Sequence, residues 1–519
     1  MPTTPAPAPV RAAPDGARAI SAPDGRTGRT RGWRLAALIG AAVGLAGVLA
    51  IQVAVLRQPG YLVSRPALLY LTVLWWALGL ATAALLVLAA PRRLALVLML
   101  TATVAIHAMA LTGGPRLSDD LYRYAWDGKV QAAGIDPYRY GPLDPELTRV
   151  RDDWLFPDSA GCTADHPRPR CTRLNYPRAH TIYPPVAQAY FTAVHVLPGP
   201  PREHKLQLYA SLASLALVGL LMRTLATRGR DPRSAAFYAL TPLAGLDVGS
   251  DAHVDVLGAL LALGAIAALT PPTATSAAAS SSMATSEPTS RRRTWLAGAL
   301  LGAAVAVKLY PALLFPAMIG RGSRHRRIGL LCAAGAVVGL TYLPHVLAVG
   351  TGVLGFLPQY LSVEGYDQGS RFLLLAGLGL HGTAAKAVAV GVLAAVTIAV
   401  LRADPDRVPA ERAALWLVGA AFLTATPAQP WYGVLLAALA VLAGRLEWLV
   451  VAAAAYPLYI SLFTDLPGDA WTLRVSSYAV AAAVVLATAL TRSVPRRTRR
   501  ECMPDPTRPA PAGEAGPGA

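Results

Sequence analysis

Runs of about twenty apolar residues, the length that crosses a bilayer as a helix, recur along this chain and leave little room for any other fold. They fall near 33–56, 67–90, 94–112, 204–226, 234–247, 252–270, 294–319, 327–349, 383–402, 411–427, 430–444, 446–463 and 471–491. Of 519 residues, 54% are hydrophobic and only 15% charged, with mean hydropathy +0.43. Soluble domains are nearer a quarter charged. The expected fold class is therefore all-α and polytopic, with many spans instead of one water-soluble core.

The net charge of +18 raises the question of nucleic acid, but the placement of the charges argues against it. Arginines form short clusters between the apolar runs: Arg26 to Arg34, Arg92-Arg93, Arg223 to Arg233, Arg291 to Arg293, Arg321 to Arg327 and Arg492 to Arg500. That is the positive-inside pattern of a membrane protein; a nucleic-acid binder gathers its bases on one face. The run 294–319 contains Lys308, Pro311 and Pro316 and has arginine clusters on both sides. It is expected to enter and return as two half-helices broken near Lys308, which is tolerated only where protein or a cavity satisfies the backbone. The expected count is then 13 or 14 transmembrane helices with both termini cytoplasmic. Residues 1–32 and 494–519 read as disordered tails, 33–493 as the membrane domain and 271–293 as a cytoplasmic linker. The Ala/Gly/Arg-rich composition points to a bacterial plasma membrane.

One long polar insertion interrupts the apolar pattern, Gly113–Pro185, with ten acidic and ten basic residues. Charge balance marks it as an outer, extracytoplasmic loop, together with Leu246–Asp255, Gly350–Arg371, the turn Gln429-Pro430-Trp431-Tyr432 and Thr464–Arg474. Adjacent carboxylates, Asp119 and Asp120, come just after the apolar run that ends at Leu111. Val186–Leu197 is apolar but short, and is expected to lie at the outer face. Cys162 and Cys171 both fall in the insertion, where an oxidising compartment allows a disulfide; two free thiols are the alternative.

Asp119-Asp120, Tyr122-Arg123-Tyr124, Trp126-Asp127-Gly128, Gly134-Ile135-Asp136-Pro137-Tyr138 and Thr181-Ile182-Tyr183-Pro184-Pro185 resemble the first large outer loop of GT-C superfamily glycosyltransferases. The likeness is strongest to bacterial polyprenol-phosphate-mannose-dependent mannosyltransferases. Ser250-Asp251-Ala252-His253-Val254-Asp255, Lys308-Leu309-Tyr310-Pro311 and Gln429-Pro430-Trp431-Tyr432 are similar to later motifs of that group. Asp251 is a departure, since a Ser-Gly-His-type run is expected there.

The resemblance implies an enzyme that moves a sugar, mannose in this group, from a polyprenyl phosphate to a glycolipid or lipid-linked glycan acceptor at the outer face, with inversion. An acceptor hydroxyl needs a base as its bond forms. Asp120 is the first candidate, from its spacing to Gly134, and Asp119 the second; helix capping is the structural alternative for the pair. A leaving lipid phosphate needs cationic or N–H stabilisation. Lys308, Arg371 and His253 are candidates, with Lys308 snorkelling and an Arg371–Asp367 pair as the plain readings. His253, flanked by Asp251 and Asp255, is also the candidate ligand of a divalent metal; no metal site is assigned. Trp126, Tyr138, Tyr183, Trp431 and Tyr432 are candidates to stack on sugar or lipid, or else form an interfacial aromatic belt. His107, inside a span, reads as a packed, hydrogen-bonded histidine. An oligosaccharide ligase or polymerase, and a lipid or solute transporter, are the competing classes; the chain shows no internal repeat of the transporter kind.

Overall fold

The computed structural model describes residues 25–58, 66–161, 171–269, 286–320, 322–464 and 468–493, and among these every regular element is helical. The longer helices are α1 Gly25–Leu56, α2 Pro66–Leu88, α3 Arg92–Ala110, α4 Asp120–Ala132, α5 Pro185–Val196, α6 Glu203–Thr227, α7 Asp255–Leu269, α8 Ser286–Val305, α9 Arg324–Val349, α10 Gly382–Arg402, α11 Ala410–Ala425, α12 Gly433–Ala443, α13 Leu449–Ile460 and α14 Ala470–Ser493. Both expected tails lie largely outside the described residues, as does the expected linker up to position 285. Helices α1 and α8 begin inside those segments, at Gly25 and Ser286.

Seven helical stretches among the described residues are long and apolar enough to cross a membrane: Trp33–Leu56, Pro66–Leu88, Arg92–Ala110, Glu203–Thr227, Arg324–Val363, Gly382–Arg402 and Ala470–Arg492. Four shorter apolar pieces, Asp255–Leu269, Tyr310–Ile319, Pro430–Ala443 and Leu446–Ile460, fill the space between them. Leu340 and Leu347 of α9, Val390 of α10 and Leu486 of α14 are exposed, as side chains facing lipid must be. The protein is a polytopic helical membrane protein.

The run 234–247 does not form a span. It divides into a 3-10 turn at Pro232–Ala235, a single helical turn at Ala236–Ala239 and a π-helical turn at Leu243–Ser250. Pro232 and Pro242 break the hydrogen-bond ladder, and the segment is buried between α2, α3 and α6. Its apolar character serves the protein interior, not the lipid. The break in 294–319 does form. Helix α8 ends at Val305, and a 3-10 turn at Tyr310–Leu314 leads into Phe315–Ile319. The carbonyl of Ala306, freed by the break, accepts from Val186 N at 2.9 Å and Ala187 N at 3.3 Å. Those are orphan amides of the first turn of α5, so the broken helix and the end of the polar insertion satisfy each other.

Helices α8 and α9 approach closely because Gly298 and Gly302 face the α9 backbone. A Cβ on Gly298 would lie 2.3 Å from the Leu330 carbonyl oxygen, and one on Gly302 2.5 Å from that of Ala334. Small residues four apart are the usual means of bringing membrane helices this near.

Different polar contacts hold the two ends of the bundle. At one end Arg233 donates to the Ala90 carbonyl at 2.7 Å, just before α3, Arg228 pairs with Glu411 at 2.9 Å, and Arg445 pairs with Glu447 at 2.5 Å. At the far end of α3, about 28 Å away at 1.5 Å per residue, the chain turns into the segment 113–118. Asp251 accepts from Arg116 N at 2.5 Å and Leu117 N at 3.0 Å, and Gln207 donates to the carbonyls of Gly113 at 2.8 Å and Ser250 at 2.7 Å. The unexpected acid at 251 is thus a clamp on the loop that carries Asp119 and Asp120.

The insertion packs as a small polar core on this end. Buried Asp127 pairs with Arg123 at 2.9 Å and accepts from Thr181 Oγ1 at 2.5 Å and Gln188 Nε2 at 2.9 Å. Both of its oxygens are satisfied, which is what a buried charge requires. Asp136 pairs with His345 at 2.7 Å and ties the insertion to α9. Gly355, at φ +52, lets its backbone touch the Thr181 carbonyl, and the next residue, Phe356, donates its N–H there at 3.3 Å. Cys171 is buried and disulfide-bonded; Cys162 lies outside the described residues.

Candidate active site

Beneath the insertion lies a cavity of about 950 Å³. Its polar end is formed by Ser118, Asp119, Asp120, Asn175, His180 and Lys308. An apolar arm continues between the broken helix, α10 and α11, along Leu313, Pro316, Leu393, Thr397, Leu417 and Ala421. Leu393 and Thr397 stand 11 and 15 residues into α10, about 16 and 22 Å along its axis. The arm therefore reaches from the polar end deep into the membrane-spanning part.

The two carboxylates meet at one amide. Asn175 Nδ2 donates to Asp119 Oδ1 at 2.9 Å and Asp120 Oδ1 at 2.7 Å. Asp119 occupies the position before α4 but makes no side-chain capping bond, so the pair is not a helix cap. Burial pushes the Asp119 carboxyl up to about 7; the Asp120 charge adds to the rise and the Asn175 hydrogen bond opposes it. Asp120 is raised as well, chiefly by burial, against the attraction of Lys308 and the hydrogen bond from Asn175. Asn175 is the residue that sequence reasoning missed, since a lone asparagine 55 positions from Asp120 carries no local signal.

Lys308 sits at the helix break, with Nζ 2.9 Å from Asp255 Oδ2, 4.7 Å from the centre of the Tyr432 ring and 5.8 Å from that of Tyr183. It faces the cavity and the Asp120 charge, not the lipid interface, so the snorkelling reading does not hold. His253 is buried. Its ring stacks on Trp431 with centres 3.7 Å apart, and Nδ1 lies 3.3 Å from Tyr124 Oη and 3.8 Å from Asp120 Oδ2. Ala252, beside it, is held at φ +56 in the left-handed region, a conformation an alanine adopts only when its surroundings impose it. Among the described residues no group of three or more His, Cys, Asp or Glu side chains is arranged to hold a metal ion, and His253 is bound up with its aromatic neighbours.

Tyr183, Trp431 and Tyr432 line the cavity; Trp126 and Tyr138 do not. Trp126 packs on Phe156 at 5.0 Å, and Tyr138 is buried with Oη donating to the Tyr183 carbonyl at 2.7 Å. They are neither stacking platforms nor an interfacial belt, because the folded insertion covers them. Arg371 is also elsewhere: it pairs with Glu364, not Asp367, and lines a neighbouring cavity. The Asp367 carbonyl instead accepts from Lys386 at 2.8 Å. His107 is packed but among the described residues has no hydrogen-bond partner on either ring nitrogen; it fills the gap against Gly249.

Residues 181–427 match the model of a known family, described as Glycosyltransferase family 87. The protein is a glycosyltransferase. The matched segment carries Tyr183, His253, Lys308 and Arg371, whereas Asp119, Asp120 and Trp431 lie outside it and depend on the geometry. No curated protein and no solved structure matches the chain.

Proposed function

We propose that this glycosyltransferase moves mannose from a polyprenyl-phosphate donor to a glycolipid or lipid-linked glycan acceptor on the extracytoplasmic face of a bacterial plasma membrane, with Asp120 as the base. The observation that carries the reading is the shape of the cavity. Paired carboxylates and one lysine stand at its polar end, and an apolar arm runs from them about 22 Å along α10. A sugar held on a long lipid by a single phosphate fits that order of surfaces: chain in the arm, phosphate at Lys308, sugar between Lys308 and Asp120.

In this reading the acceptor hydroxyl attacks the anomeric carbon as its proton passes to the Asp120 carboxylate. The bond from the anomeric carbon to the phosphate oxygen breaks, and its electron pair leaves on the phosphate. Lys308 offsets that growing charge, while Asp255 holds the ammonium in place. Attack opposite the leaving phosphate inverts the anomeric centre. Trp431 and Tyr432 flank the sugar position, and burial of the carboxylates supplies a base stronger than an exposed aspartate.

The test is transfer from radiolabelled polyprenyl-phosphate-mannose to membrane lipid extract by the purified protein. Wild type should form labelled product, and Asp120→Asn should lower the rate about 10²–10⁴-fold, the usual worth of a general base, with expression and thermal melting unchanged. Full activity in Asp120→Asn, and again in Asp119→Asn, would remove the base from this pair. Transfer only from a lipid diphosphate oligosaccharide would replace the donor assignment with that of a ligase.

A further inference from the structure

A second cavity of about 550 Å³ lies beside the first; Glu364 and Leu462 line both. Two guanidinium groups, Arg371 and Arg474, line it from opposite parts of the chain. Arg371 donates Nε to the Glu364 carbonyl at 2.8 Å and pairs with the Glu364 carboxylate, whose other oxygen accepts from Gln429 Nε2 at 2.8 Å. Arg474 is held by Ser461 alone, through Oγ at 2.8 Å and the carbonyl at 2.9 Å, and among the described residues it has no carboxylate partner within ion-pair distance. Asp469, whose charge also acts on Arg474, caps α14, accepting from Thr472 N at 2.9 Å and Trp471 N at 3.1 Å. Two guanidinium groups and one carboxylate, Glu364, line the cavity, and the Asp469 charge that also acts on Arg474 stands outside that lining. Its remaining wall is mixed, with polar Ser362, Gln368 and Ser370 and apolar Leu458, Leu462 and Trp471. Trp471 and Leu462 are both partly exposed, and Trp471 belongs to the first turn of the membrane-spanning α14.

We propose that this cavity binds the phosphate ester of an anionic membrane lipid, its head group between Arg371 and Arg474 and its chains against Leu462 and Trp471. Planar guanidinium groups match phosphate oxygens in pairs, and an apolar rim next to a charged pocket fits a lipid better than a free ion. The site is separate from the Lys308 position and stands whether or not the donor assignment holds. It places a second lipid beside the first cavity.

The experiment uses the full-length protein in neutral detergent, followed by native mass spectrometry during titration with dioleoylphosphatidylglycerol. Dioleoylphosphatidylcholine and glycerol 3-phosphate are titrated in parallel. Wild type should take up one phosphatidylglycerol saturably and bind phosphatidylcholine and glycerol 3-phosphate less well. Arg474→Gln, which keeps a donor for Ser461, should weaken that binding by about tenfold or more, the loss of one charge-assisted hydrogen bond. Arg474→Lys should fall between, and Lys308→Gln should bind as wild type does. Unchanged binding in Arg474→Gln, with the variant folded by thermal melt, overturns the site. Equal weakening in Lys308→Gln moves the anion to the first cavity and overturns it too. Glycerol 3-phosphate binding as tightly as the lipid would overturn the lipid part and leave a phosphate-ester pocket.

Discussion

Asn175 holds Asp119 and Asp120 through a single nitrogen, and the ionisation of the pair follows from that contact. Its hydrogen bond favours the charged carboxylates, whereas burial favours protons on both and the Asp120 charge adds to that on Asp119. A base must be ionised to act, so activity should rise with pH along an acid limb set by these two groups. Opposite shifts are expected in two variants. Asp119→Asn removes the neighbouring charge, lowers the pKa of Asp120 and moves the limb to lower pH. Asn175→Ala removes the hydrogen bond and moves it to higher pH. Profiles of kcat/KM against pH decide this, and coincident profiles for both variants and wild type would show that the rate depends on another group. Stability should follow the same sign. With Asp119 raised to about 7 from an ordinary 3.8, the folded state binds more protons than the unfolded state between those values. Stability therefore declines as pH rises from about 4 to about 7 and levels off above that. At this scale the sequence made the acids legible as a pair, and Lys308 as a charge in an apolar run. It could not tell Asp251, engaged with the backbone of Arg116 and Leu117, from Asp120, which faces the cavity, because both are acids at the ends of apolar runs.

Among the elements, the broken helix positions most of the site. Lys308 faces the cavity because α8 stops at Val305, and the stop is stable because α5 donates its first amides to Ala306. The register of α8 is in turn set by Gly298 and Gly302 against α9. Gly302→Leu should force those helices apart and destabilise the protein by about 1–3 kcal/mol, the range for overpacking. The readout is a lower melting temperature in detergent, with activity falling because Lys308 lies six residues on. Gly335→Leu, at an α9 position with nothing within 4 Å, should melt with wild type. Equal losses in both variants would mean that glycine content, not the contact, matters. Lysine and two prolines in one apolar run made the break predictable. The run 234–247 reads as a span because burial inside protein and burial in lipid select the same apolar side chains; only Pro242 within it, Pro232 just before it and Asp247 at its end hint at the difference.

On the scale of the whole molecule, the bundle separates an arginine-rich end from the end where the insertion roofs the cavity. The apolar arm connects that roof to the middle of the membrane. Thr397→Trp, a bulky side chain in the arm, should raise KM for a long polyprenyl donor about tenfold, the worth of 1.4 kcal/mol of lost contact, and leave a short-chain analogue nearly unaffected. Equal loss with both donors would show that the arm does not hold the chain. Length and spacing of apolar runs, arginine placement and one polar insertion determined by themselves that this chain is a helical membrane protein with a cluster of acids in that insertion, because those patterns report on each residue's immediate solvent. The tertiary structure alone decided which distant groups meet: Asn175 on the paired carboxylates, His253 on Trp431, Lys308 on Asp255, and Arg371 with Arg474 in a cavity of their own. The lateral arrangement of helices comes from close packing between surfaces, and packing leaves no period in the sequence from which it could be read.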